Sequence, residues 1–358
     1  MMSKAARIPF VHVTGSQQSM GRSIGRTCAR TAASFLKSTK SDCRQRGLVW
    51  DAAIGTARDY LPYAQEYDPK YLDFMKGYAK GSGIPFEELF TLLCQGERGL
   101  CTDVSVNAEA SADGSIYSAH TEDWRPVDEE HVVLLHGEPD EGPSFLVVTL
   151  AGLELITGLN SAGISFSANS LYQNDMRLGV PKMFVSRRIL AARRIGDAIS
   201  AVIPAERASS YNNNICHSSG EMYSVEGSAT DYALLYPSNG YLVHTNHYLA
   251  PRMSRYEALF SGPTGTSLER GTSSIVRFNR ADALVRRSLG RITAETLSSI
   301  LSDHVNFPDS ICGHEDPGLP QLERSKTNYA VISDLTSLEM RVCLGNPCVG
   351  KWERFGLR

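Results

Sequence analysis

No run of apolar residues in this 358-residue chain approaches the ~20 needed to cross a bilayer. The opening MMSKAARIPFVHV carries basic residues but lacks the apolar stretch of a signal peptide. An excess of one charge is missing too: 36 Lys and Arg against 39 Asp and Glu leave a formal charge of -3, which suits neither a nucleic-acid binder nor an acidic solvating chain. The eight cysteines form no C-x-x-C pair and show no Cys/His spacing suited to zinc, so neither a metal nor a bound cofactor is expected. Asn-x-Ser/Thr sequons, internal repeats, heptads and low-complexity linkers are absent, and the terminal WERFGLR is not an S-K-L-type address. Small, reduced, buried thiols in a cytoplasmic protein are the expectation, with no membrane and no nucleic acid as partners.

What is present is material for a large core: 42% of the residues are hydrophobic and 21% charged. After a short strand at Ile8–Val13, a helical period predicts a helix from Gln17 to about Lys37. Residues 48–81 are again helical in character, and a further helical stretch starts at Ile84-Pro85. The texture changes near Cys101. Thr102–Val106 and Ile116–His120 read as two strands around Asp113-Gly114, a hairpin signal. Val132–Leu135, Phe145–Leu150, Leu153–Gly158 and Ile164–Ala168 extend the same meander, with Gly158–Gly163 as a turn. Helix is expected at 183–203, then strands near 213–216, 221–225, 231–236 and 241–245. Helices at about 274–288 and 293–303 precede strands at 328–334 and 338–343. Pro263–Thr266 and residues 313–325 read as surface loops. Helical blocks beside strand meanders imply an α+β layered fold, not βαβ repeats.

Cys101 is the candidate nucleophile. Arg98-Gly99-Leu100 interrupts the helical region before it, and the hairpin brings Asp123-Trp124 back toward its end of the sheet. A thiol needs a base. His244 and His247, in Val243-His244-Thr245-Asn246-His247, offer one. The α-amino group of Cys101 itself, with a pKa near ~8, offers another if the chain is cut before Cys101. Spacing does not choose between them.

The run Cys101-Thr102…Ala112-Asp113-Gly114…Glu122-Asp123-Trp124 resembles the nucleophile hairpin of the acyl-coenzyme A:6-aminopenicillanic-acid acyltransferase family of N-terminal-nucleophile (Ntn) hydrolases. Further blocks agree in order. These are Gly15-Ser16 with Met20-Gly21 and Gly25, Tyr78–Gly83, Gly158–Gly163 with Asn169-Ser170-Leu171, His244–His247, and Phe307-Pro308…Ser310-Ile311-Cys312. The resemblance implies a four-layer αββα sandwich. Residues 1–100 would be a mainly helical pro-segment or α-chain and 101–358 the β-chain, together forming one domain. It implies self-cleavage between Leu100 and Cys101 and acyl transfer through a Cys101 thioester, with the cleaved chains as each other's partners. Asn246 would donate to the oxyanion, Asp123 would hold the new α-ammonium, and Asn169 would contact the scissile amide. Ser228 and Ser310 would bind substrate or affect processing. The substrates would be a small-molecule acyl donor, acyl-coenzyme A among the possibilities, and an amine acceptor, in specialised metabolism.

Other readings stay open: an N-acyl amide hydrolase, an unprocessed Cys–His hydrolase, or an inactive binding homologue. The run Arg187-Arg188…Arg193-Arg194 fits either coenzyme A phosphates or a solvated helix face. The chain departs from the family at Leu100, where Gly is usual, and at Gly313, where Arg is usual.

Overall fold

The sequence patterns resolve into fourteen strands and nine helices in the computed structural model, which describes residues 7–96, 99–260 and 265–357, the side chains of 265–270 excepted. Strand β1 (Phe10–Gly15) leads to Ser16, whose Oγ accepts from the Ser19 N–H and caps α1 (Gln17–Thr27). The predicted helix 17–37 is in fact two, because the backbone turns at Cys28 before α2 (Ala29–Gln45). Likewise 48–81 divides into α3 (Trp50–Tyr67) and α4 (Pro69–Ser82). Asp68 ends the first and caps the second, with Pro69 at its first turn. Helix α5 (Phe86–Leu93) follows.

The hairpin is β2 (Leu100–Val106) and β3 (Tyr117–Trp124); β2 therefore starts at Leu100, one residue before Cys101. Then come β4 (Val132–Pro139), β5 (Phe145–Leu150), β6 (Glu154–Asn160) and β7 (Ile164–Ser170). Gly158–Asn160 thus belongs to β6, and only Ser161–Gly163 turns. The Asn160 Oδ1 accepts the Ala162 and Ile164 N–H groups there. After α6 (Lys182–Leu190) and α7 (Ile195–Val202) run β8 (Tyr211–His217), β9 (Met222–Gly227), β10 (Tyr232–Leu235) and β11 (Tyr241–His244). Helix α8 (Gly265–Ser288) begins inside the expected Pro263–Thr266 loop, of which Pro263 and Thr264 lie outside the described residues. Then α9 (Ala294–Leu301), β12 (Lys326–Asp334), β13 (Glu339–Leu344) and β14 (Trp352–Gly356) complete the chain; β14 has no counterpart in the sequence reading.

The strands form two sheets, eight in the order β1-β4-β5-β6-β7-β8-β9-β10 and six in the order β11-β2-β3-β12-β13-β14. All pairs are antiparallel except β1 with β4. The meander expected to extend the Cys101 hairpin therefore lies in the other sheet. Beyond β3 the hairpin pairs with β12, and beyond β2 with β11, both distant in sequence. Helices α1 to α7 share a core with the large sheet, in which Met20, Tyr78, Leu146 and Phe184 are buried. Helices α8 and α9 cover the outer face of the small sheet through Ala281, Val285, Leu297 and Leu301 against Val104, Val106 and Ile332. With the sheets face to face between these helical layers, the order is α, β, β, α.

Candidate active site

Side chains alternate across a strand, so cross-strand partners share a face. On the face turned to the large sheet, Cys101 stands opposite Glu122, and Asp103 opposite His120. All four are buried. The Cys101 Sγ donates to Glu122 Oε2 at 3.4 Å. His120 donates from Nε2 to the same Glu122 oxygen at 3.1 Å and from Nδ1 to Asp103 Oδ1 at 2.8 Å. Burial alone would neutralise this imidazole, but Asp103 and Glu122 outweigh it and push His120 up to about 10, so it is charged. Burial raises Glu122, against the opposing pull of its His120 hydrogen bond. Burial, then the Glu122 carboxylate, push the Cys101 thiol well above its ordinary value, while a hydrogen bond from the Ser170 backbone pulls the other way. In the intact chain Cys101 is thus a protonated thiol beside a carboxylate.

The opposite face of the hairpin carries Thr102 and Asp123 toward α8. Arg277 of α8 is buried there. Its guanidinium donates to the Cys101 carbonyl (2.6 Å), to Thr102 Oγ1 (2.9 Å) and to Asn246 Oδ1 (2.8 Å). Asn246 Oδ1 also accepts the Cys101 backbone N–H at 2.8 Å, while its Nδ2 donates to the Ser170 carbonyl at 3.1 Å. The Asn246 carboxamide therefore grips the nitrogen of the Leu100–Cys101 peptide. Asp123 stands opposite Leu100 and accepts from Thr327 Oγ1 at 2.6 Å. Burial pushes it up to about 7, with Arg277 and Thr327 opposing.

Asn169 Oδ1 meets Asn212 Nδ2 and His244 Nδ1, each at 3.0 Å, and its buried Nδ2 has no partner among the described residues. Its neighbour Ser170 touches Cys101, so Asn169 adjoins the cluster. Ser228 is elsewhere: it closes the β9–β10 turn, accepting from the Asp231 N–H at 3.0 Å, and none of its hydrogen bonds reaches Cys101. Ser310 Oγ donates to the Cys312 carbonyl at 2.7 Å and shapes its own loop. Leu100 is buried in β2.

The two candidate bases on 244–247 point to other partners. His244 Nε2 meets Glu226 Oε1 at 3.0 Å. His247 Nδ1 meets Ser274 Oγ at 2.8 Å, and burial with His244 beside it brings His247 down to about 4. Neither has a hydrogen bond to Cys101. The basic run is also engaged: Arg187 is buried against Gln17 and Phe145, Arg188 lies over Tyr67, and Arg194 pairs with Asp197. It is neither an open phosphate cradle nor a wholly solvated face.

A cavity beside the cluster touches Gln95, Gly96, Gly99, Glu122, Ser170 and Lys182 and holds only about 30 Å³. That is the room of roughly one water. The Gly99 carbonyl accepts from Tyr172 Oη at 3.1 Å. Gly96 and Gly99, shortly before Cys101, thus line this cavity; Arg98 lies outside the described residues.

Sequence reasoning assigned no role to Asp103, His120, Glu122 and Arg277. The first three were within reach, since the hairpin register alone puts Cys101, Asp103, His120 and Glu122 on one face. Arg277, 176 residues from Cys101, left no local signal.

The model of the acyl-coenzyme A:6-aminopenicillanic acid acyl-transferase family matches residues 110–348, well over half of the chain. The chain belongs to this family, and with it to the acyl-transferring enzymes. Among its relatives, the 40 kDa form of acyl-coenzyme A:6-aminopenicillanic-acid-acyltransferase from Emericella nidulans is 25% identical over 289 residues, 78% of this chain and 76% of that one. Solved structures similar to it include a mutant conjugated bile acid hydrolase from Clostridium perfringens (11% identity, TM-score 0.48, 72% of this chain and 97% of that one). Penicillin V acylase from Agrobacterium tumefaciens is another (12% identity, TM-score 0.46, 72% and 86%). The family match begins beyond Cys101.

Proposed function

We propose that this chain cuts itself between Leu100 and Cys101, then uses Cys101 to transfer acyl groups through a thioester. One observation carries the reading. A buried thiol has a carboxylate on its sulfur at 3.4 Å and an asparagine oxygen on the nitrogen of the peptide to be cut at 2.8 Å. Glu122 takes the thiol proton, and Sγ attacks the Leu100 carbonyl carbon. The carbon–nitrogen bond breaks, the proton passes to the departing amine, and Leu100 is left as a thioester on Cys101. Water cleaves that thioester, giving a Leu100 carboxylate, a free thiol and a free Cys101 amine.

In later turnovers the α-amine, with a pKa of roughly 8, takes the thiol proton. The thiolate attacks the donor acyl carbon, and an amine or water releases the product. Asn246, first an acceptor for the peptide nitrogen, then turns its NH₂ to the oxyanion. Asn169 supplies its unpaired Nδ2 to the substrate amide, Asp123 faces the α-ammonium, and Arg277 keeps Cys101 and Asn246 in register. The donor is an N-acyl amide or an acyl-coenzyme A thioester, by analogy with the named relative, and the acceptor a small amine or water. Release of the segment ending at Leu100 enlarges the cavity for such substrates.

Intact-mass spectrometry tests this. Wild-type protein should appear as fragments 1–100 and 101–358, Cys101→Ala as one whole chain, and the 101–358 fragment should gain the acyl mass when a donor is added. A whole, fully active wild type overturns the reading. A whole, inactive chain without a reactive thiol makes it a binding homologue.

A further inference from the structure

Far in sequence from the hairpin, the long connection between α9 and β12 gathers a second set of nucleophilic side chains. His304, Cys312 and His314 come from this connection, and Cys348 from the turn between β13 and β14; one ligand atom from each lies within 4.8 Å of all the others. His314 Nε2 is 3.6 Å from Cys312 Sγ, 3.6 Å from Cys348 Sγ and 3.1 Å from His304 Nε2. Zinc bonds of about 2.3 Å to sulfur and about 2.0–2.1 Å to nitrogen, at tetrahedral angles, set sulfur and nitrogen about 3.6 Å apart and two nitrogens about 3.4 Å apart. The two sulfur–nitrogen distances match that figure, and the two nitrogens stand somewhat closer together.

Hydrogen-bond donors already sit on one of the sulfurs. Asn346 Nδ2 donates to Cys312 Sγ at 3.4 Å, and the Cys348 backbone N–H bonds the same sulfur. Donors on a sulfur are what an outer shell supplies to a metal-bound thiolate. The backbone is organised before any ion enters. The Cys312 N–H donates to the Asp303 carbonyl at 3.1 Å and the His314 N–H to the Pro308 carbonyl at 2.9 Å, while Arg280 clamps Asp303 at 2.7 Å. Spacing in sequence hid the set because its fourth member lies 34 residues beyond His314 and is brought in by β13.

We propose that His304, Cys312, His314 and Cys348 bind one zinc ion in a closed structural site that fastens the 302–325 connection to the β13–β14 turn. Binding releases the two thiol protons and forms four bonds, which leaves no position open for substrate. The site would also brace the catalytic hairpin. Gly313, between two of the ligands, donates its N–H to Thr327 Oγ1 at 2.8 Å, and Thr327 Oγ1 donates to Asp123 at 2.6 Å.

Metal analysis of protein purified from zinc-supplemented cells should give one zinc per chain. After chelation, cobalt(II) added to the whole protein should produce a thiolate charge-transfer band and intense tetrahedral d–d bands that zinc then bleaches. Cys348→Ser and His304→Ala should lower zinc affinity by roughly 100-fold or more, and Asn346→Ala by roughly 10-fold. His217→Ala, at a half-buried imidazole elsewhere, should leave affinity unchanged. Chelation should lower the melting temperature of wild type but not of Cys348→Ser. Absence of the cobalt bands in wild type, zinc retained at full affinity by folded Cys348→Ser, or a Cys312–Cys348 disulfide in the purified protein would each overturn the proposal. The cobalt spectrum decides the matter on wild type even where a variant fails to fold.

Discussion

In the proposed cleavage Glu122 is the base, because among the described residues it is the carboxylate bonded to the Cys101 thiol. Glu122→Gln keeps the side chain's shape and removes its basicity, so cleavage should slow by about 10²–10⁴-fold. Intact-mass time courses measure this, with circular dichroism checking that the variant is folded; cleavage at the wild-type rate would free Glu122 of the role. Asn246→Ala should lower the turnover of processed enzyme by about 10²–10³-fold, the ordinary loss for one oxyanion donor. His120 and Asp123 make a prediction about stability. His120 is raised to about 10 in the fold, so its contribution is full below the unfolded value of 6.5 and is lost as pH climbs toward 10. Asp123, raised from 3.8 to about 7, is a buried acid whose ionisation also disfavours the fold as pH rises through that window. Both bind more protons folded than unfolded, so unfolding free energy should fall from pH 6 to pH 9 in urea titrations of Cys101→Ala. The slope should shrink in Cys101→Ala with His120→Gln.

At the scale of elements, the glycines that carried part of the family resemblance are a packing device. A Cβ on Gly21 would lie 2.0 Å from the Phe74 carbonyl oxygen, and one on Gly25 would lie 2.3 Å from that of Tyr78. From the other helix, Gly77 and Gly81 would meet Gln18 and Arg22 carbonyls at 2.1 Å each. Helices α1 and α4 therefore touch backbone to backbone through two glycines apiece, spaced one turn. Gly25→Ala should cost about 1–3 kcal/mol by overpacking, read as a lower denaturation midpoint, whereas Gly55→Ala, with open space around it, should not. These elements were legible because helical periodicity and the Asp113-Gly114 turn are local signals. The hairpin's pairing was legible for the same reason. Its neighbours β11 and β12 were not, since strand partners so distant are chosen by the closing of the whole sheet and leave no mark in any short window. The same limit hid Arg277 and the convergence on Cys348. Asn246 was found only through its motif, His-Thr-Asn-His, and not by any reasoning about space.

Across the whole molecule, cleavage at Leu100 should not divide the protein. The 1–100 part supplies β1 to the large sheet, six register pairs alongside β4, and buries α1, α4 and α5 in the principal core. Fragments 1–100 and 101–358 should co-elute in size-exclusion chromatography and part only in denaturant; separation under native conditions would show that the cut releases a true pro-segment. Four layers from one chain explain how the surroundings of Cys101 are assembled from β2, β3, β7 and α8 in the uncut protein.

The small cavity beside the Cys101 cluster gives the proposed first cut a further meaning. With room for about a single water in the uncut chain, it would, under the proposed function, leave the molecule's own peptide as the first to be cut. A chain in which Arg277, Asn246 or Glu122 is misplaced would then fail to pass that step and would stay shut. The cut fraction of any preparation is then an internal census of correctly assembled sites, taken by the protein upon itself.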